Sequence, residues 1–137
     1  PVYAFNRRSE PITDPEIIGL VRRALEISKE SGGAFDITVS PLLELWGFYA
    51  KSLCIPKDKE IKECLRNVGY QRLFFKNGEL NKDNPAVKID FGGIAKGYAL
   101  AQAAKVLKDS GVISALIDAG GDVYVFYSEG KAVPPYI

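Results

Sequence analysis

Between Asp90 and Tyr98 the chain reads Asp-Phe-Gly-Gly-Ile-Ala-Lys-Gly-Tyr, placing Gly92, Gly93, Gly97 and Lys96 where an extended run gives way to a helix. The chemistry of that spacing is anion binding. Ala86-Val87-Lys88-Ile89-Asp90 alternates like a strand, and Ala99 to Leu107 is rich in alanine and leucine at helical spacing. Glycines let backbone approach a ligand, while the N–H groups and dipole of a first helical turn favour phosphate. Lys96 adds a mobile positive charge. The spacing is not a Walker loop, because Tyr98 stands where Ser or Thr is required, and not a Rossmann fingerprint, because the glycines fall at 92, 93 and 97. Asp90-Phe91-Gly92 spells the kinase metal-binding triplet, but no His-Arg-Asp precedes it. Spacing alone leaves two readings, a phosphate site and a glycine-rich turn that packs a helix against a strand.

The chain has no histidine, which removes the usual general base and every Ser-His or Cys-His nucleophile. Chemistry here must run on carboxylates, lysine or a metal held by oxygen. Cys54 and Cys64 form no Cys-x-x-Cys, and two unpaired structural thiols are expected. The 137 residues, 47% hydrophobic and 26% charged, suit about one domain. A net charge of +1 with interspersed signs gives no field for nucleic acid or anionic membrane. No apolar run reaches the roughly 18 residues of a membrane span, and the start lacks a signal-peptide layout. With no Met at its start or elsewhere, the chain is expected to be a processed piece or fragment.

Thr13-Asp14-Pro15-Glu16 marks a helix start, with Thr13 or Asp14 as N-cap and Glu16 placed for a capping box. Ile17, Leu20, Val21, Ala24, Leu25 and Ser28 form its inner face, and Gly32-Gly33 stop it. Ala34 to Val39 reads as a short strand, and Pro41 opens an apolar turn through Trp46. A second amphipathic helix is expected over about 56–68, then a strand at 72–75 and a turn at Asn77-Gly78. The strand at 86–90, a helix over about 94–110, an apolar strand at 112–118 and an extended run at 123–127 follow. The sum is α+β, with at least three helices and four or five strands in a mixed sheet.

Read together, the pieces resemble the ApbE family, the FAD:protein FMN transferases first described as thiamine-biosynthesis lipoproteins. Three motifs carry the resemblance in the family's order. They are Gly33-Ala34-Phe35-Asp36-Ile37-Thr38-Val39-Ser40-Pro41-Leu42 followed by Trp46-Gly47-Phe48, then Asp90 to Ala99, then Ile117-Asp118-Ala119-Gly120-Gly121-Asp122. The resemblance implies a mixed-sheet fold related to the T-fold, FAD as substrate and a divalent cation, usually Mg²⁺. It implies attack on the FAD pyrophosphate by a threonine hydroxyl of an acceptor flavoprotein, leaving FMN in a phosphoester and releasing AMP. Displacement at phosphorus needs positioning and charge neutralisation more than covalent catalysis.

By position in the motifs, Ala34, Phe35 and Asp36 would line the FAD pocket, Asp90 would hold a polar part of the dinucleotide, and Lys96 would lie near it. Gly93 would offer its backbone carbonyl to the metal. Gly120 and Gly121 would shape a turn. Two departures stand out: Ala101 occupies a place where the family usually carries Asp, and the family's upstream adenine-pocket segment and downstream His-x-x-Asp-Pro motif are not in these residues. The expectation is therefore the central part of an ApbE-like domain, 1–137, incomplete at both ends and prone to self-association through exposed edges. The resemblance also implies an extracytoplasmic, membrane-anchored protein. Two other readings stay open, a non-catalytic flavin-binding or scaffold module and a binder of some other nucleotide or phosphate.

Overall fold

A computed structural model describes residues 1–50 and 52–127 in two units, Pro1–Phe91 and Gly92–Ile137. The first unit opens with α1 (Val2–Arg8), which carries Phe5 into the core, and α2 (Pro15–Glu30). Asp14 is the cap of α2, its carboxylate accepting from the N–H groups of Glu16 and Ile17. Because the cap is Asp14 rather than Thr13, Glu16 falls at the second helical position, one short of a capping box. Leu20, Val21, Ala24 and Ser28 form the buried stripe.

The run expected as a strand at 34–39 is instead a bend ending in a 3₁₀ turn at Ile37–Val39, leading into α3 (Ser40–Leu45). The cause is local. Asp36 Oδ1 accepts from both the N–H and the hydroxyl of Thr38, at 2.8 and 2.7 Å, a side-chain turn that competes with extended pairing. The next helix, α4 (Asp58–Leu65), is shorter than the expected 56–68, with the Glu60 carboxylate accepting from the Lys57 N–H at its start. Strands β1 (Leu73–Lys76) and β2 (Glu79–Lys82) form the expected hairpin around Asn77-Gly78. Both turn residues have positive φ, 52° and 82°, as a type I′ turn requires. Ile12 adds one antiparallel bridge to Leu80 on the hairpin's edge. Cys54 and Cys64 are free thiols.

Ala86 lies in a turn, and residues 87–90 have no regular structure and pair with no strand among the described residues. Their backbone groups go largely to side chains. The Asn6 amide spans Ile89, donating to its carbonyl at 2.8 Å and accepting from its N–H at 2.9 Å, and Lys82 Nζ donates to the Val87 carbonyl. A single asparagine thus replaces one rung of the ladder that a neighbouring strand would supply.

The second unit is a helix on a hairpin. Helix α5 (Ala95–Asp109) packs on β3 (Ser114–Ala119) and β4 (Asp122–Tyr127), which are antiparallel about Gly120-Gly121. Strand alternation puts Asp122, Tyr124 and Phe126 on one face, and helical spacing puts Lys96, Leu100, Ala104 and Lys108 on one stripe. The two lines meet through Lys96–Asp122 at one place and through Lys108 Nζ, 4.7 Å from the Phe126 ring, at another. On the other face Leu116, Val123, Val125 and Tyr127 are exposed. The α+β class stands as expected from the sequence. Among the described residues, however, the strands pair as two antiparallel hairpins and not as one mixed sheet.

Replacing Asn6 with alanine strands the buried N–H and C=O of Ile89. At about 1–3 kcal/mol for each of the two unpaired groups, urea unfolding should show a loss of about 2–6 kcal/mol.

Candidate functional site

In the first unit the first motif meets Asp90, the opening residue of the second, and their meeting point is the turn at Asp36. Its second carboxylate oxygen accepts from the Tyr70 N–H at 2.7 Å, and the Thr38 hydroxyl accepts from the Gly69 N–H at 2.7 Å. Thr38 is fully buried, so these bonds are shielded from water. The carbonyl of Ile37, at the start of the same turn, accepts from the Asp90 N–H at 2.8 Å. One segment therefore organises both acids, Asp36 by its side chain and Asp90 by its backbone.

Asp90 faces a cleft of about 380 Å³ whose walls include Tyr3, Asn6, Arg7, Ser40, Tyr49 and Phe91. Its Oδ2 accepts from the Tyr49 hydroxyl at 2.7 Å, and that hydroxyl is 3.2 Å from Ser40 Oγ. Glu44, also in the wall, pairs with Lys88 and with Arg7. Tyr49 is held in place by the loop that follows α3. There Gly47 is buried at φ +77°, and a Cβ on it would run into the Ser52 carbonyl. This explains why glycine stands between Trp46 and Phe48.

Of the residues singled out from the sequence, Ala34 is exposed, and Phe35 is half-buried with its N–H donating to Ser31 Oγ. Gly93 is exposed in the turn that precedes α5, whose N-cap Ile94 contributes no capping side chain. Lys96, in the first turn of α5, is ion-paired with Asp122 at 2.5 Å, with both side chains about half exposed. Asp122 closes the third motif, and the Asp118 carboxylate accepts from the Gly121 N–H to shape the turn before it. Asp36 and Asp90 are thus brought to one segment, and Lys96 is joined to the third motif.

Sequence reasoning missed Tyr49, Glu44 and Asn6 and gave Ser40 no role. Tyr49 sits two residues past the Gly47 that turns its loop, a local signal. Asn6 has none, because its partner lies 83 positions away.

Among the described residues no three His, Cys, Asp or Glu side chains gather in a metal-binding group. A hard divalent ion takes about six oxygens, so these residues do not make a magnesium site by themselves.

The model of the ApbE family matches residues 1–134. The chain belongs to the ApbE family. It is 31% identical to the FAD:protein FMN transferase of Vibrio cholerae over 124 residues, 87% of this chain and 37% of that protein. The FAD:protein FMN transferase of Escherichia coli K12 is likewise 31% identical, over 84% of this chain and 34% of its own length. The chain thus spans little more than a third of these curated relatives. Among solved structures it resembles the ApbE protein of Thermotoga maritima, with a TM-score of 0.82 and 38% identity over 90% of this chain and 42% of that one. It also resembles the apo form of the Pseudomonas stutzeri flavinyl transferase ApbE, with a TM-score of 0.79 and 32% identity over 90% of this chain and 41% of that one.

Burial raises the Tyr49 hydroxyl above its ordinary pKa of 10.0; the Ser40 hydrogen bond opposes this, and the Asp90 carboxylate adds to it. The fold favours the protonated phenol. Its contribution to stability is therefore complete below pH 10 and lost as pH rises through the folded-state value. Subtracting the ultraviolet titration of Tyr49→Phe from that of the parent should show one phenolate appearing above pH 10.

Proposed function

We propose that the whole protein is an FAD:protein FMN transferase acting on a threonine of an acceptor flavoprotein. The threonine oxygen forms a bond to the FMN phosphorus of FAD, the pyrophosphate bond to AMP breaks, and the hydroxyl proton is released. Supporting this most directly are the relatives of about 31% identity that carry the name of this activity and align over most of the chain.

The geometry is compatible with a nucleotide diester. Tyr3, Phe91 and Tyr49 line the cleft with aromatic rings, while Asn6, Arg7 and Asp90 bring polar and charged groups to it. In this reading Ala34, Phe35 and Asp36 border the flavin nucleotide, Asp36 chiefly by holding the turn, and Asp90 takes a polar group of it. Lys96 meets the pyrophosphate, and to do so it exchanges Asp122 for a phosphate oxygen. Both neighbours are anionic, so the lysine stays paired throughout. The Gly93 carbonyl is proposed as one ligand of Mg²⁺, which would neutralise charge on the phosphates.

We extend the proposal, on the resemblance alone, to an extracytoplasmic, membrane-anchored protein; no described helix is long and apolar enough to cross a membrane. Self-association is proposed through exposed strand edges, supported by the exposed apolar side chains of Leu116, Val123, Val125 and Tyr127 on the same hairpin. Ala101 favours one alternative, a flavin-binding module without turnover.

Incubating the whole protein with FAD, Mg²⁺ and an acceptor flavoprotein should release AMP and leave flavin fluorescence on the denatured acceptor. Replacing the acceptor threonine with alanine should abolish both signals. Binding of FAD without AMP release in the presence of a competent acceptor would select the non-catalytic module instead.

Lys96→Ala should weaken FAD binding, read by flavin fluorescence quenching, with little change in melting temperature. Half-exposed ion pairs contribute at most about 1 kcal/mol to stability. Unchanged FAD affinity would remove Lys96 from the site.

A further inference from the structure

We propose that Tyr49 is a positioning residue for Asp90, delivering hydrogen-bond control of that carboxylate from the buried start of α3. The proposal rests on the reading of Asp90 as a contact to FAD. Its geometric basis is a directed chain. A phenol has one proton and a carboxylate only accepts, so the 2.7 Å bond to Asp90 Oδ2 uses the tyrosine hydrogen. The 3.2 Å contact between Ser40 Oγ and the same hydroxyl must then run from serine to tyrosine. The polarity is Ser40 to Tyr49 to Asp90.

The two ends differ in the way a positioning device requires. Ser40 is 3% exposed and fixed in the first turn of α3, whereas Tyr49 is 51% exposed beside the cleft. Asp90 is also held by its backbone, through the bond from its N–H to the Ile37 carbonyl three residues before Ser40. Main chain and carboxylate of Asp90 are thus referenced to one short segment, 37–40. The backbone bond fixes the main chain at Asp90, and the bond from Tyr49, itself tied to Ser40, restrains its carboxylate. Tyr49 is half exposed, and the loop around Gly47 places its hydroxyl between Ser40 and Asp90.

The test is a double-mutant cycle on FAD affinity, measured by fluorescence quenching in the whole protein, with melting temperature followed in parallel. Tyr49→Phe removes the hydroxyl and leaves the ring. It should weaken FAD binding roughly three- to tenfold with the melting temperature kept, the scale of one hydrogen bond to a charged group lost in part. In an Asp90→Ala background the same change should have no further effect, because the group it acts through is gone. Ser40→Ala should weaken binding by less than Tyr49→Phe, and add nothing to it. Parent-like affinity in Tyr49→Phe, or equal losses with and without Asp90, would overturn the positioning role while leaving Asp90 in the site. Parent-like affinity in Asp90→Ala would instead overturn the reading beneath it, and this proposal with it.

Discussion

The first unit depends on the Asp36 carboxylate. Three donors converge on it, the N–H and hydroxyl of Thr38 and the N–H of Tyr70, each within 2.8 Å. Bonds to a charged acceptor are about twice as strong as neutral ones, and the buried Thr38 keeps water from competing for them. The consequence is spatial. The turn they fix points the Ile37 carbonyl at the Asp90 N–H and starts α3 at Ser40, whose hydroxyl reaches Tyr49. Cleft wall and cleft acid descend from one turn.

That constraint also explains which parts of the fold were legible in the sequence. Elements whose signal is local came through. Asp14-Pro15 opens α2, Asn77-Gly78 and Gly120-Gly121 close hairpins, and α5 runs from Ala95 to Asp109 within a residue or so of its expected span. The failures share a cause. At 34–39 the alternating pattern of a strand coincides with an Asp-x-Thr sequence, and side-chain bonds to the nearby backbone fix a turn in place of a ladder. At 86–90 the pattern is again strand-like, but the backbone groups of Ile89 are met by the side chain of Asn6. Periodicity reports which face is buried and cannot report what satisfies the backbone.

The site was legible to a similar depth. The motifs named Asp36, Asp90 and Lys96, and the structure gives each a distinct mechanical setting: a turn clamp, a cleft acid held at two points, and a helix lysine paired with Asp122. What the motifs could not name are the residues that hold those groups. Ser40 lies inside a motif without a motif-level reason for its hydroxyl, and Tyr49 lies just outside one. Glu44 becomes visible only when α3, Lys88 and Arg7 are placed together.

Asp122 poses the remaining physical question, why a lysine proposed to bind phosphate carries a carboxylate partner already. A partly exposed pair is screened and stabilises the unit weakly, so its loss to a ligand costs little. A pyrophosphate at the start of α5 would meet, besides Lys96, the dipole of a helix of 15 residues whose N-cap side chain is apolar. The carboxylate of Asp122 reaches Lys96 from the strand side, after a turn shaped by Asp118 and Gly121. In the proposed exchange one anionic partner of the lysine would replace another, so charge would keep Lys96 near its place in either state.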